Sequence, residues 1–319
     1  MTWGVSRFSL PVKRKLDAGR ASFSGRGRTP YRSDRKSLVR KAFFHVPRAG
    51  GSTRLRSMSL PKKTLPPKTL GFIASTAPEA QSALEELLRL YGNTSIEDAD
   101  VIVALGGDGF MLQTLHQTIN TGKRIYGMNC GSVGFLMNDY HRENLRERVA
   151  EAIENELHPL KMTTTNEDGS SSVALAINEV YLFRQSYQAA KLCVEIDGHV
   201  RLEELICDGL MVATPAGSTA YNLSAHGPIL PLEAPLLAMT PVSAFRPRRW
   251  RGALLPNHVR VDIHILEPEK RPVNAVADNA EVKSVLHVRV EQSTEVTARI
   301  LSDPNHSWSD RILAEQFNN

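Results

Sequence analysis

The chain has 319 residues, of which 41% are apolar and 23% are charged. This length and apolar content exclude a disulfide-stapled mini-protein and a wholly disordered chain, and they suit about two globular domains. Three cysteines without a Cys-x-x-Cys pair exclude a disulfide framework and a Cys-based zinc site, and they favour a reducing, cytoplasmic compartment. No apolar run approaches the ~18–20 residues that a membrane helix needs, so we expect no membrane association.

Charge is divided unevenly along the chain. Residues 1–68 contain 18 Lys and Arg against two acidic residues, a net charge of +16. The remaining 251 residues carry 21 basic and 32 acidic side chains, a net charge of −11. The overall charge of +5 therefore reflects the N-terminal segment alone, and the rest of the chain is acidic.

Residues 1–68, which we call the basic arm, show no sustained helical or strand periodicity and are rich in Arg, Ser, Gly and Pro. This composition predicts disorder. Three interpretations stay open: a dispensable segment upstream of Met58, a targeting segment of transit-peptide composition, and a cationic arm that binds a polyanion.

The segment 69–158 alternates strand and helix patterns. Apolar strand patterns cover 70–75, 100–105 and 125–128, and helical spacing covers 78–90, 110–119 and 143–157. Such alternation predicts a Rossmann-like α/β domain with a parallel sheet and helices on its faces.

The segment 159–293 is strand-like almost throughout and predicts an antiparallel β domain. Alternating or apolar runs cover 173–177, 180–183, 192–196, 199–205, 210–213, 259–266 and 285–290. Asp197-Gly198 between two of these runs predicts a hairpin turn. A further strand pattern over 294–301 and helical spacing from Trp308 to Phe317 predict that 294–319 packs back on the α/β domain.

A glycine loop follows the second predicted strand. Its residues are Gly106, Gly107, Asp108 and Gly109. Glycines at the carboxyl end of a parallel strand let backbone N–H groups approach phosphates, and the following helix adds favourable partial charge. A carboxylate would repel phosphate unless it serves a metal ion or takes a proton, so Asp108 is a candidate catalytic residue. The alternative is a tight turn with Asp108 as a helix cap.

Three more polar elements lie at predicted strand ends. Glycine-rich residues 127–136 follow the third strand, and Asn178-Glu179 interrupts two apolar runs. Buried polar groups need partners, so the Asn-Glu pair should face a ligand or an interface, unless it lies on a solvent-exposed edge strand. Asp208-Gly209 then precedes the 214–224 block, Thr214 to Ser224, whose hydroxyl and amide groups exceed what helix capping needs.

Together these elements resemble the NAD kinase family (ATP-NAD kinase or polyphosphate/ATP-NAD kinase). The glycine-aspartate loop also occurs in phosphofructokinases and lipid kinases, whereas the Thr-Pro-Ala-Gly-Ser-Thr-Ala-Tyr sequence at 214–221 singles out NAD kinases. The resemblance covers about 70–319. It implies transfer of the γ-phosphoryl group of ATP to the 2′-hydroxyl of the adenosine ribose of NAD, giving NADP.

The resemblance also implies roles for individual residues. Asp108 would take the proton of the ribose hydroxyl beside Gly109, and Asn178 and Glu179 would contact the NAD ribose. Asp208 and Ala216 would lie against the nicotinamide side of a neighbouring site in a homodimer or homotetramer. The residues implied for adenine and ribose binding are Thr219, Ala220, Tyr221, Asn222 and Ser224. A divalent cation, Mg²⁺, would be held mainly by the triphosphate, without dedicated protein ligands.

One segment departs from the family pattern. Where an Asp-Gly pair followed by a polar residue is common, this chain has Ala277-Asp278-Asn279-Ala280. Because Asn tolerates a left-handed backbone, Asn279 should preserve the turn, and no ligand role is carried to Ala280. His116, on the helix after the glycine loop, could approach phosphates, although a partly buried structural role is favoured.

Two rival functions remain at this stage. A diacylglycerol- or sphingosine-type lipid kinase is disfavoured because the 214–224 block is polar and an acyl chain needs an apolar pocket. A nucleic-acid-binding protein acting through the basic arm is disfavoured by the acidic charge of the rest of the chain, so no nucleic-acid partner is expected. The sequence leaves open whether polyphosphate replaces ATP and whether NADH is also phosphorylated.

Overall fold

The computed structural model describes residues 67–131 and 134–304, together with Arg311 and Phe317. The basic arm up to residue 66 and the predicted helix from Trp308 to Phe317, apart from two of its residues, lie outside this part of the chain. Within the described residues, no helix has the length and apolar character needed to span a membrane.

The first half of the described chain contains five strands and three helices. In chain order they are β1 Leu70–Ala74, α1 Pro78–Tyr91, β2 Val101–Gly106, α2 Asp108–Thr118, β3 Arg124–Asn129, β4 Asn138–Asp139, α3 Leu145–Glu151 and β5 Ile153–Leu157. Pro78 stands in the first turn of α1, where its missing N–H is tolerated. Gly92 ends that helix with a positive φ of 70°.

The second half is almost entirely strand. Its elements are β6 Leu160–Asn166, β7 Ser171–Ala176, β8 Glu179–Arg184, β9 Ala190–Ile196, β10 His199–Cys207, β11 Gly209–Ala213, a 3₁₀ turn Ala216–Thr219, α4 Tyr221–Ser224, β12 Leu236–Val242, β13 Ala253–Pro256, β14 Val261–Ile265, β15 Val273–Ala277, β16 Ala280–Val282, β17 Val285–Gln292 and β18 Ala298–Ser302.

The first sheet has the order β1-β2-β3-β18-β5, with β4 pairing beside β3. Strands β1, β2, β3 and β18 run parallel, and β5 runs antiparallel to β18. Helix α2 packs on one face through Met111 and Leu115, and α1 and α3 pack on the other. The last described strand thus returns to the α/β sheet.

The remaining strands form two six-stranded antiparallel sheets. Their orders are β10-β9-β14-β17-β6-β7 and β13-β12-β11-β8-β15-β16. Apolar side chains from both sheets, such as Val194 and Ile263 from one and Leu182 and Val212 from the other, form a shared core. The predicted fold class, an α/β domain followed by an antiparallel β domain, is confirmed.

One predicted helix is shorter in the structure, and the predicted hairpin is present. The helix predicted over 143–157 is wrong beyond Glu151, because 153–157 pairs with β18 along its whole length. Tertiary pairing overrides local helical spacing there. The hairpin predicted at Asp197-Gly198 joins β9 to β10, and both turn residues have positive φ, 50° and 79°.

Candidate active site

The glycine loop lies at the carboxyl end of β2, a strand buried at all six positions. Gly107 is the N-cap of α2, and Asp108 is its first residue. Open space lies beside the α-carbons of Gly107 and Gly109, whereas a Cβ at Gly106 would lie 3.0 Å from Phe110 Cβ. The loop therefore leaves the N-terminus of α2 accessible to a ligand on the side of Gly107 and Gly109.

Asp108 is held by backbone amides of the loop after β3. Its Oδ2 accepts a hydrogen bond from the Phe135 N–H at 2.6 Å, and its Oδ1 accepts one from the Leu136 N–H at 2.9 Å. Gly134 lies so close that a Cβ there would stand 2.8 Å from Asp108 Oδ1. The carboxylate is thus fixed in direction by its neighbours while the side chain stays only half-buried.

The two glycine-rich segments meet a corner of the β domain formed by Ile177–Glu179, which we call the 177–179 corner. Glu179 is 6% exposed, and its Oε2 is buried without a hydrogen-bond partner among the described residues. Asn178 Oδ1 is also buried and unpartnered there. Because buried polar atoms are normally satisfied, these two atoms mark a place where a ligand can supply the missing partners.

Burial also changes the acidity of the corner. Desolvation, and secondarily the negative charge of Asp278, raises the pKa of Glu179 from 4.5 to about 8. Glu179 therefore carries a proton at neutral pH and can donate a hydrogen bond as well as accept one.

The glycine loop and the 177–179 corner enclose a cleft of about 90 Å³, which we call the Asp108 cleft. Six residues predicted from the sequence line it together with Leu112, Phe135 and Leu136. These six are Asp108, Gly109, Asn178, Ala216, Thr219 and Ala220. The cleft thus lies where the α/β domain meets the β domain.

The 214–224 block is locked to the corner by its own hydrogen bonds. Thr214 Oγ1 donates to the Ile177 carbonyl at 2.7 Å and accepts from the Gly217 N–H at 3.0 Å. A Cβ at Gly217 would collide with the Asn178 carbonyl, so only glycine allows this approach. The 3₁₀ turn that carries Ala216 and Thr219 is thereby set against the cleft.

Two residues of the block serve its scaffold. Asn222 is completely buried; its Nδ2 donates to the carbonyls of Ser218 and Pro228, and its Oδ1 accepts from Thr240 Oγ1 at 2.7 Å. Ser218 Oγ donates to the Pro215 carbonyl at 2.7 Å. The structure assigns the Asn222 side chain to this internal network rather than to a ligand-facing position. Ser224 is exposed at the end of α4.

Asp208 and Tyr221 line a second pocket of about 390 Å³, which we call the Asp208 pocket. Asp208 precedes β11 and accepts a hydrogen bond from Arg184 Nε at 2.6 Å. Tyr221 packs edge-on against Tyr181, with ring centroids 5.3 Å apart. Because Ala216 follows the other end of the five-residue β11, roughly 17 Å of strand separates Asp208 from the Asp108 cleft.

The 277–280 turn connects directly to the 177–179 corner. It forms the β15–β16 hairpin, but the residue with positive φ is Asp278, at 49°, rather than the Asn279 expected from the sequence. Asp278 accepts a hydrogen bond from His116 Nε2 at 2.6 Å, so His116 is anchored in the structure. The two residues are 162 positions apart in the sequence, so turn chemistry alone does not reveal this contact.

Comparison with known proteins identifies the family. The ATP-NAD kinase N-terminal domain model matches residues 63–157, and the C-terminal domain model matches 176–299. The chain is 73% identical over 251 residues to an NAD kinase of Rhizobium meliloti, covering 79% of this chain and 98% of that protein. An NAD kinase of Brucella suis is 64% identical over 248 residues, covering 78% and 96%.

The chain belongs to the ATP-NAD kinase family. It is therefore an enzyme, a phosphotransferase that acts on NAD, and the resemblance seen in its motifs is confirmed. The lipid-kinase and nucleic-acid-binding alternatives find no support among these relatives.

Solved structures share the fold. Yeast NADH kinase, in a complex with NADH, superimposes with a TM-score of 0.69 at 22% identity, covering 80% of this chain and 89% of that one. An NAD kinase from Archaeoglobus fulgidus, in a complex with ATP, gives a TM-score of 0.62 at 23% identity, covering 77% and 98%.

Proposed function

We propose that Asp108 is the general base that takes the proton of the ribose 2′-hydroxyl as that oxygen attacks the γ-phosphorus of ATP. The observation that supports this role is the placement of its carboxylate on the glycine loop, oriented by two backbone amides at a cleft that Asn178 and Thr219 also line. An alcohol is a poor nucleophile, so a positioned carboxylate contributes by removing its proton.

The 177–179 corner is proposed to bind the ribose of the acceptor nucleotide. Asn178 Oδ1 can accept a hydrogen bond from a hydroxyl, and Glu179 has an unpartnered buried oxygen beside it. A ribose presents neighbouring hydroxyl groups that both donate and accept, which matches this pair. Thr219 and Ala220 would line the same nucleotide, and so would Ala216, which lies in this cleft although the family resemblance implied a place beside Asp208 in a neighbouring site.

The donor is ATP, the phosphoryl donor of the family. We propose that its phosphates lie against the glycine loop of Gly106, Gly107 and Gly109, where the backbone is open at Gly107 and Gly109 and α2 begins. Phosphoryl transfer depends mainly on alignment and charge neutralisation, and the helix N-terminus supplies part of both.

A divalent cation, Mg²⁺, is proposed to enter with the triphosphate. Among the described residues, no three His, Cys, Asp or Glu side chains are grouped to hold a metal ion. The side chains of the Asp108 cleft include one carboxylate, which suits an ion held chiefly by phosphate oxygens and water. When bound, the ion would neutralise charge on the β- and γ-phosphates.

A homodimer or homotetramer is proposed because the predicted ligand residues fall into two places. Asp208 lines a pocket at the far end of β11, roughly 17 Å of strand from the Asp108 cleft, and Tyr221 lines the same pocket although it directly follows Ala220 of the cleft. A second copy that placed its Asp208 pocket beside the cleft would bring its Asp208 to the nicotinamide side. Sedimentation of wild type beside Asp208→Arg tests this assembly; the variant should dissociate or lose NAD affinity.

A cytoplasmic location is also proposed. The three cysteines are all free thiols, which suits a reducing compartment. The acidic charge of the chain beyond the basic arm gives no reason to expect nucleic acid as a partner.

A donor-and-acceptor panel tests the proposed reaction. The purified protein should convert NAD to NADP with ATP and Mg²⁺, and ³¹P NMR should place the new phosphate on the 2′-hydroxyl. Diacylglycerol serves as the control acceptor and should stay unphosphorylated. Transfer to diacylglycerol, or to another hydroxyl of NAD, would contradict the assignment of the cleft.

A further inference from the structure

Asp278 makes an unusual number of hydrogen bonds for one carboxylate. Its side chain is completely buried, at 0% exposure. Oδ2 accepts from the Ile177 N–H at 2.7 Å and from His116 Nε2 at 2.6 Å. Oδ1 accepts from the N–H groups of Asn178 at 3.0 Å and Glu179 at 3.2 Å.

These bonds fix the whole 177–179 corner. Three consecutive backbone amides point at one carboxylate, and the Asp278 N–H donates back to the Glu179 carbonyl at 3.1 Å. A backbone held at four points has little freedom to turn its side chains. Together with the Thr214 bond to the Ile177 carbonyl, Asp278 therefore fixes the backbone from which the Asn178 and Glu179 side chains extend.

His116 extends this anchor to the glycine loop. It lies on α2, eight residues after Asp108, which is about 12 Å along the same helix. Its side chain is 22% exposed, and its Nε2 meets the buried Asp278 carboxylate. One hydrogen bond thus connects the helix that presents Asp108 to the corner proposed to bind the acceptor.

We propose that Asp278 and His116 form a positioning pair that holds Asn178 and Glu179 in register with Asp108, and so sets the affinity of the enzyme for its acceptor nucleotide. This inference rests on the proposed function of the 177–179 corner. Neither residue lines the Asp108 cleft, so both act through the corner rather than on the substrate.

The carboxylate also acts on Glu179 through its charge. After desolvation, Asp278 is the cause that raises the pKa of Glu179 to about 8. The residue that orients the corner thus also helps to keep Glu179 protonated at neutral pH.

The first test is steady-state kinetics of Asp278→Asn. This isosteric change replaces one acceptor oxygen with an NH₂ group that must face a backbone N–H, so the corner loses its alignment. The KM for NAD should rise about tenfold, while the KM for ATP changes by less than about twofold. A purely structural defect would lower the amount of active enzyme without separating the two KM values.

Two His116 variants provide a matched pair. His116→Gln keeps an N–H donor within reach of Asp278 and should keep the NAD KM within about threefold of wild type. His116→Leu removes the donor at similar size and should raise the NAD KM more than His116→Gln does. If Asp278→Asn fails to fold, the difference in NAD KM between these two variants tests the proposal instead.

A double-mutant cycle decides whether the pair acts through the corner. Asn178→Ala combined with Asp278→Asn should raise the NAD KM no more than about twofold beyond the larger single effect, because both changes remove the same interaction. Multiplying effects, or an ATP KM that rises with the NAD KM, would overturn the inference.

The same cycle separates the two proposals. If Asn178→Ala raises the NAD KM while Asp278→Asn and His116→Leu do not, the positioning role fails and the corner keeps its proposed function. If Asn178→Ala leaves the NAD KM unchanged, the proposed function of the corner fails, and the inference that rests on it is overturned with it.

Discussion

Two neighbouring regions of the β domain differ in whether their buried polar side chains are hydrogen-bonded within the protein. In the 214–224 block, the buried Ser218 and Asn222 side chains are hydrogen-bonded within the protein. In the 177–179 corner, Asn178 Oδ1 and Glu179 Oε2 are buried without a partner among the described residues. Satisfied polar groups hold a scaffold in one conformation, whereas unsatisfied groups keep their hydrogen-bonding capacity for a ligand.

Asp108 lies between these extremes, because its oxygens accept two backbone N–H groups and the side chain still lines the cleft. Asp108→Asn should lower kcat at least about a hundredfold with the melting temperature nearly unchanged, since general-base catalysis is worth ~10²–10⁴-fold. Glu85→Gln, which removes an exposed carboxylate from α1, is the control and should match wild type. Activity above a tenth of wild type would reduce Asp108 to a turn residue.

Glu179 gives the next largest effect. Glu179→Ala removes the buried carboxyl group and should raise the NAD KM about tenfold. Glu179→Gln keeps the size and a donor group, and because Glu179 is protonated at neutral pH, it should stay within about threefold of wild type. Equal losses in both variants would show that the negative charge, and not the protonated form, binds the acceptor.

Glu179 also makes stability depend on pH. Its pKa rises from 4.5 to about 8 on folding, so between these pH values the folded protein holds a proton that the unfolded chain has released. The stabilisation that comes from holding this proton is fully present below pH 4.5 and is lost as the pH rises through about 8. The unfolding free energy, measured with urea, should fall less between pH 6 and pH 9 in Glu179→Gln than in wild type. Equal falls would contradict the raised pKa.

The basic arm should have the smallest effect. The family match begins at residue 63, and all the candidate site residues lie at or beyond Gly106. Deleting residues 1–57 should therefore leave kcat and the NAD KM within about twofold of wild type. A tenfold loss in kcat/KM would mean that the arm helps to build the site.

Local chemistry made part of the site predictable from the sequence. The glycine loop follows a buried strand directly, and Asn178-Glu179 interrupts two apolar runs, so both stand out in a short window. The structure brings Asp108 and Gly109 of the loop together with Asn178 at the Asp108 cleft.

Long-range pairing made the rest unpredictable. The partner of β5 is a strand that begins about 140 residues later, and Asp278 reaches a histidine 162 residues away. Asn222 looks like a ligand-binding amide in sequence, and its buried partner Thr240 lies beyond the motif. No local pattern distinguishes a polar group that the fold satisfies from one that it leaves for a ligand.

The contrast between the 177–179 corner and the hydrogen-bonded 214–224 block can be measured directly with two variants, Asn178→Ala and Thr240→Val. Calorimetric titration gives the NAD affinity of each variant, and urea unfolding gives its unfolding free energy. Asn178→Ala should weaken NAD binding several-fold at unchanged stability, since one hydrogen bond to a neutral group is worth about 0.5–1.5 kcal/mol. Thr240→Val, which removes the donor to Asn222, should lower the unfolding free energy by about 1–3 kcal/mol and leave the NAD affinity of the folded protein unchanged. Weakened NAD binding in Thr240→Val to the same degree as in Asn178→Ala would contradict the division of the site into a binding corner and a satisfied scaffold.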